Sequence, residues 1–135
     1  MSVLMKKTAL LFVSIATFVF LFVGCSKQAE PIVLPAVNEI DSIEITAIDG
    51  SQYSYSNTEW IEQFISVFLQ AKATTKYSVQ DIPNVDDYGK VDVSNDGGTT
   101  TVFYYADSGK YYIEQPYQGI YETDVDIDAL IRGVE

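Results

Sequence analysis

The chain has no histidine, a single cysteine and only 8 Lys and Arg against 19 Asp and Glu. Each shortage removes a class of chemistry. Without imidazole there is no Ser-His-Asp or Cys-His nucleophile, no His-containing zinc site and no acid/base group that titrates near neutrality. One cysteine cannot form an intramolecular disulfide. The scarcity of cations disfavours a nucleic-acid partner, because each phosphate contact depends on Lys or Arg. The longest apolar run, 15 residues from Ala9 to Val23, is shorter than the roughly 20 that a stable membrane-spanning helix needs.

What is present divides unevenly along the chain. Its 135 residues are 47% hydrophobic, about one domain's worth, but much of that content sits in the first 24 positions. Lys6 and Lys7 are the only charges before residue 25, so the remainder carries 6 basic and 19 acidic residues, a net −13. Met5-Lys6-Lys7, the apolar run and then Gly24-Cys25-Ser26 have the layout of an export signal. Leu21-Phe22-Val23-Gly24-Cys25 resembles a bacterial lipobox, which implies diacylglycerol on the Cys25 thiol and cleavage just before it. Gly24 and Cys25 fit that pattern, whereas Phe22 and Val23 stand where Leu and a small residue are preferred. Residues 1–24 are thus expected to be a lipoprotein signal peptide. Two acyl chains hold a membrane stably where one holds marginally.

Residues 25–38 follow no secondary-structure period and carry Pro31 and Pro35, which favour extended backbone. They are expected to be the lipidated Cys and a flexible tether, leaving residues 39–135 as a single domain. Ile43, Ile45 and Ala47 alternate with polar residues as in a half-buried strand, and Asp49-Gly50-Ser51 turns the chain into a second strand with Tyr53 and Tyr55 on one face. Ser56 and Glu59 form a capping-box pattern. Behind it Ile61, Phe64, Ile65, Phe68 and Leu69 make a helical stripe. Lys72 to Asn84 looks like a loop. Three strands follow, separated by Asn95-Asp96-Gly97-Gly98 and Asp107-Ser108-Gly109, the latter read as a three-residue turn with Gly109 left-handed. A last helix begins at Val125, capped by Thr123 or Asp124, with Ile127, Leu130, Ile131 and Val134 inward and Gly133 at its end. The expected fold is α+β, an antiparallel sheet in ββαβββα order with helices packed on one face, two layers.

Candidate sites each have a bland competitor. Asp124, Asp126, Asp128 and Glu135 match positions 1, 3, 5 and 12 of a calcium loop, but Ala129 stands where that loop needs Gly. Acidic residues in a first helical turn account for the same pattern, so no metal and no cofactor are expected. Asp86, Asp87, Asp92, Glu114 and Glu122 could supply the two carboxylates of a glycosidase, but in a domain this small, with no long loops to build a cleft, solvated acidic surface is the better account. No Ser-x-x-Lys arrangement offers a serine nucleophile. Six of the ten tyrosines, Tyr104, Tyr105, Tyr111, Tyr112, Tyr117 and Tyr121, fall within eighteen positions. Adjacent strand residues point to opposite faces, so each Tyr-Tyr pair sends one ring to the core and one away. Tyr105, Tyr112, Glu114, Tyr117 and Tyr121 are therefore the expected binding surface, with cross-strand stabilisation of a small sheet as the competing account.

Tyr111 to Tyr121, with the lipobox, the Ile43-Glu44-Ile45 strand and the Ser78-Val79-Gln80-Asp81-Ile82-Pro83 block, resembles a domain-of-unknown-function family of small Gram-positive surface lipoproteins. The resemblance implies a lipid-anchored surface protein with a compact α+β domain and no established activity. Within it, Pro116 ends ladder pairing and Gly119 permits an unusual turn, so Glu114 to Tyr121 is expected to form a rigid corner. Together these readings predict a lipid-anchored, extracytoplasmic, non-catalytic binding module. Its partners would be membrane lipid through acylated Cys25 and an envelope or secreted protein or glycan. An inhibitor or sensor domain for an envelope enzyme and a small carboxylate-dependent glycan hydrolase are the alternatives.

Overall fold

The computed structural model describes residues 28–133. Cys25 and the expected signal peptide, like Val134 and Glu135, lie outside the described residues. The chain forms strands β1 (Ser42–Thr46) and β2 (Gln52–Tyr55), helix α1 (Thr58–Gln70), strands β3 (Lys72–Ala73), β4 (Gly89–Asn95), β5 (Gly98–Asp107), β6 (Lys110–Gln115) and β7 (Gly119–Thr123), and helix α2 (Ile127–Arg132). All seven strands join one antiparallel sheet in the order β2-β1-β4-β5-β6-β7-β3. The fold is a small α+β fold, mostly antiparallel sheet with two helices. Among the described residues no helix is long and apolar enough to cross a membrane.

Register explains the core. Ile43 lies opposite Val93 and Ile45 opposite Val91; Val91 lies opposite Val102, Tyr104 opposite Ile113, and Ile113 opposite Tyr121. Because side chains alternate across a strand, these residues share one face. They form a single cluster with Ile61, Phe64, Ile65 and Phe68 of α1 and Ile127 and Ile131 of α2. Tyr55, Trp60 and Phe64 extend it as a stack, with ring centroids 3.5 and 4.6 Å apart. Each fully buried Ile or Phe contributes about 1.5–3 kcal/mol.

Several local expectations need correction. The order is ββαβββββα, because β3 and β7 add to the expected strands. The two-residue β3 shows no period of its own and is a strand only because it pairs with β7, Ala73 opposite Tyr121. The corner expected over Glu114 to Tyr121 is a hairpin, with Gln115 paired to Gly119. Tyr117, at φ 60°, takes the left-handed conformation there. Gly119 serves close approach instead: a Cβ on it would overlap the Ala29 side chain. At the β5–β6 turn the loop is two residues, since Asp107 pairs with Lys110 and both Ser108 and Gly109 have positive φ, the signature of a type I′ turn. The cap of α1 is Asn57, whose Oδ1 accepts from the Trp60 N–H at 3.0 Å, and Leu69 faces solvent. Asp126 caps α2 by accepting from the Ala129 N–H at 3.1 Å; Leu130 is exposed.

The largest correction concerns the expected tether. From Ala29 onward it is docked. Ala29 is buried, and its N–H donates to the Thr74 carbonyl at 2.8 Å. Tyr121 donates its hydroxyl to the Glu30 carbonyl. Gln115 clamps Val33 at both ends, accepting from its N–H at 2.8 Å and donating to its carbonyl at 2.7 Å. Gln118 donates to the Pro31 carbonyl at 3.0 Å. Ile32, Leu34, Val37 and Ile40 pack against the core, and Val37–Glu39 forms a 3-10 turn. Prolines that keep a strap extended serve docking as well as they serve a tether, which is why composition alone misleads here.

Candidate functional site

The sheet face away from the helices carries the side chains that the sequence singles out. Phe103 and Tyr105 of β5 lie opposite Glu114 and Tyr112 of β6, and Glu114 lies opposite Ile120 of β7. The loop between β3 and β4 crosses this part of the face. Tyr88 meets Phe103 edge-on at 5.4 Å. Ser78 donates its hydroxyl to Glu114 Oε1 at 2.7 Å, Gln80 its amide to the same oxygen at 3.3 Å, and Tyr105 its hydroxyl to Oε2 at 3.2 Å. Glu114 is only 1% exposed, so this carboxylate is stabilised in place by three neutral donors rather than by a cation. It acts as the peg on which the loop hangs. Burial, and next the Glu114 charge, raise the Tyr105 hydroxyl well above the ordinary phenol value, so Tyr105 is a persistent donor.

Between loop and sheet lies a shallow cavity of about 160 Å³, bordered by Lys76, Gln80, Asn84 and Val85 on the loop side and by Tyr105, Asp107, Tyr112, Glu114 and Ile120 on the sheet. That is well below the roughly 300–1,000 Å³ of an enclosing small-molecule pocket. The Tyr105 and Tyr112 rings sit 5.7 Å apart, tilted 31°, and Tyr112 is half-buried. A second hollow of about 200 Å³ lies on the α2 side of the β5–β6 hairpin, lined by Tyr104, Tyr111, Asp126, Ile127 and Asp128, with Tyr105 and Tyr112 also at its border. Tyr105 and Tyr112 thus border a depression on each side of the sheet, both shallow and suited to contact with a surface or a chain rather than to engulfing a ligand.

The structure brings Tyr105, Tyr112 and Glu114 together on this face. Tyr117 stands apart at the β6–β7 tip, 66% exposed, donating its hydroxyl to Asp81 Oδ1 at 2.6 Å; that bond raises its pKa. Tyr121 is corrected: it lies on the opposite face, 2% exposed, where its ring fills the core and its hydroxyl holds the strap. The strand period assigns it to the helix side once β7 is in register. Tyr104 and Tyr111 also face the helices, donating to Asp128 at 2.9 Å and Asp126 at 3.4 Å. Those two carboxylates are engaged in capping and in holding tyrosine; Asp128 also pairs with Arg132 at 2.9 Å. Among the described residues no three His, Cys, Asp or Glu side chains are grouped to hold a metal ion.

Of the five carboxylates considered for glycan hydrolysis, Glu114 alone borders the cavity. Asp92 accepts from Thr101 at 2.6 Å and pairs with Lys90 at 3.3 Å, while Glu122 pairs with Lys110 at 3.5 Å. Asp86 and Asp87 are exposed in the loop. The partners that sequence reasoning missed are Ser78 and Gln80. The signal that could have found them was the Ser78–Pro83 block, which stood out beside the Tyr111–Tyr121 block without any local reason to connect the two.

No curated protein matches the chain. It is similar to a solved structure, the NMR structure of a protein from Ruminococcus gnavus, at 42% identity and a TM-score of 0.64, over 70% of this chain and 93% of that one. A family profile matches residues 28–122, a span that starts at the docked strap and runs through β7, so the chain belongs to the family described as a domain of unknown function (DUF5300).

Proposed function

We propose that this protein is a lipid-anchored, extracytoplasmic binding module without catalytic activity, which presents the Tyr105–Tyr112 face to an envelope or secreted molecule. The observation that carries this reading is the tyrosine pair itself, Tyr105 beside half-buried Tyr112 with rings 5.7 Å apart, bordering one shallow hollow on the sheet face opposite both helices and a second on the α2 side. Tyrosine offers broad contact area at low rotamer cost with a polar tip. Cavities of this size favour recognition over enclosure of a reacting group. In the non-catalytic reading Glu114 is a structural acceptor, its oxygens already taken by Ser78, Gln80 and Tyr105. The helices pack on one face only, in two layers; on the other face the loop between β3 and β4 buries Phe103, Tyr105 and Glu114, and half-buried Tyr112 is the ring that a partner reaches. The anchor rests on Cys25, whose sulfur takes a diacylglyceryl group from a phospholipid as a thioether, the headgroup leaving with the thiol proton.

Two measurements on the full-length protein test the two halves. Cys25→Ala should leave an unprocessed precursor or release the protein from the membrane fraction; unchanged processing and retention would remove the anchor. Soluble envelope glycan fragments added to labelled protein should shift backbone resonances of β5 and β6, and Tyr112→Ser should abolish those shifts while leaving the spectrum of the core intact. Shifts that survive Tyr112→Ser would take the binding role away from this face.

A further inference from the structure

The docked strap sets how far the domain can stand from its anchor. Only Ser26, Lys27 and Gln28 separate Cys25 from Ala29, which is buried and hydrogen-bonded to Thr74. Four Cα steps span at most about 14 Å, against a headgroup layer of roughly 5–8 Å on each side of the hydrocarbon core. A domain tied this closely keeps Ala29 within about 6–9 Å of the outer limit of the headgroups, so the surface around the strap is the one held against the bilayer. The free tether expected from composition would have imposed no such constraint.

The surface available at that place is unusual for this molecule. The β6–β7 tip is bracketed by the strap on one side, through Gln118 and Pro31 and through Gln115 and Val33, and by the Tyr77–Ile82 loop on the other, through Tyr117 and Asp81. Around it stand Val33, Val79, Ile82 and Tyr117, at 60%, 77%, 55% and 66% exposure, half of the eight large hydrophobic side chains exposed among the described residues. Charge is distributed to match. Residues 28–33, 76–82 and 115–119 contain Lys76 against Glu30 and Asp81, a net of −1, so nearly all of the −13 of the chain from Cys25 onward lies elsewhere. An anionic leaflet repels an acidic domain within about a Debye length. The apolar end, with a net charge of only −1, is the one that can approach.

We propose that Val33, Val79, Ile82 and Tyr117 form a seat that rests in the headgroup layer of the membrane carrying the Cys25 lipid, orienting the domain with its β2 edge away from the bilayer. Tyrosine and aliphatic side chains suit this zone, where one end of a ring is wet and the other apolar. The occupant is the lipid surface itself, because the anchor brings it within reach whatever else is present. The seat rests on the lipoprotein reading above and adds an orientation to it.

The test uses full-length protein made in a host that processes lipoproteins, purified in detergent and reconstituted into vesicles of brominated phosphatidylglycerol and phosphatidylethanolamine. Val79→Cys carries an environment-sensitive fluorophore in one sample. Ser54→Cys, exposed on the far-edge strand β2, carries it in the other. Lipidated Cys25 is a thioether and takes no label, and mass spectrometry of the N-terminal peptide reports its state separately. The expected result is blue-shifted, bromine-quenched emission at position 79 and water-like, unquenched emission at 54, with Ile82→Asp weakening the quenching at 79. Lipidated protein in which both probes are unquenched, or both quenched alike, overturns the seat and leaves the anchor standing. Protection of position 79 by a co-purified protein, without lipid quenching, also overturns it and makes the patch a protein-docking surface. Absence of the lipid on Cys25 removes the anchor reading, and the seat falls with it.

Discussion

Glu114 shows how one residue can be conspicuous in the sequence while its role depends on distant partners. It stands beside tyrosines on β6, and the strand period places it on the face away from the helices, but two of its three donors come from 34 and 36 positions upstream. Glu114→Ala would leave Ser78, Gln80 and Tyr105 without their acceptor in a largely dry site, a loss of about 2–4 kcal/mol softened by the loop's freedom to open to water. Glu114→Gln keeps an oxygen for Ser78 and can offer its amide to the Tyr105 hydroxyl oxygen, so it should cost less. Urea denaturation and amide exchange together check this: the Ala variant should lose stability and show faster exchange in residues 76–85, with the Gln variant between it and the parent. Equal losses in the two variants, or no change in loop exchange, would contradict the peg.

Elements were legible in proportion to how much of their determination is local. The alternation in β1 and β4, the stripe of α1, the Asp49-Gly50-Ser51 turn and Gly133 closing α2 in the left-handed conformation all follow from neighbouring residues. β3, β7 and the strap do not, because they form by pairing with each other and with the core. Gly119 is where these three meet. Gly119→Ala would place a methyl against Ala29 beside the Tyr121 hydroxyl, and overpacking at a tight site typically costs 1–3 kcal/mol. The expected outcome is a lower denaturation midpoint with loss of amide protection at Ala29 and Val33 while β4 and β5 stay protected. Gly133→Ala, at a left-handed φ of 65° with open space around the added Cβ, should cost a comparable amount yet leave the strap protected. Loss of strap protection in both would indicate general loosening instead of a local clash.

Across the whole molecule the tyrosines couple stability to alkaline pH. Tyr55, Tyr104, Tyr105 and Tyr121 all have pKa values raised above 10.0, with burial the first cause in each. The Asp128 carboxylate adds to the shift of Tyr104 and the Glu114 carboxylate to that of Tyr105. The folded state therefore holds these protons more tightly than the unfolded chain does. Their contribution is fully present below the unfolded pKa near 10 and is lost as the pH rises above it. Denaturant midpoints should be flat through neutral pH and fall above about pH 10, more steeply than for a protein with solvent-exposed tyrosines. Tyr104→Phe should begin lower, for want of the Asp128 bond, and decline less steeply. A midpoint unchanged to about pH 11 would contradict the linkage.

By itself the sequence determined the acidic charge, the export-like N-terminus, the alternating and helical periods, most turns, and the division of each Tyr-Tyr pair between two faces. Those properties depend on composition or on residues a few positions apart. Only the tertiary structure decided that Tyr121 belongs to the core, that Ser78 and Gln80 hold Glu114, and that the strap from Ala29 is part of the domain. The strap is secured by hydrogen bonds to residues 82, 87 and 91 positions away. A segment whose partners lie that far along the chain need show no period of its own; its extended, proline-bearing sequence is compatible with a free linker and with a docked one, and the difference lies in the apolar face and the vacant backbone groups that the rest of the fold presents to it.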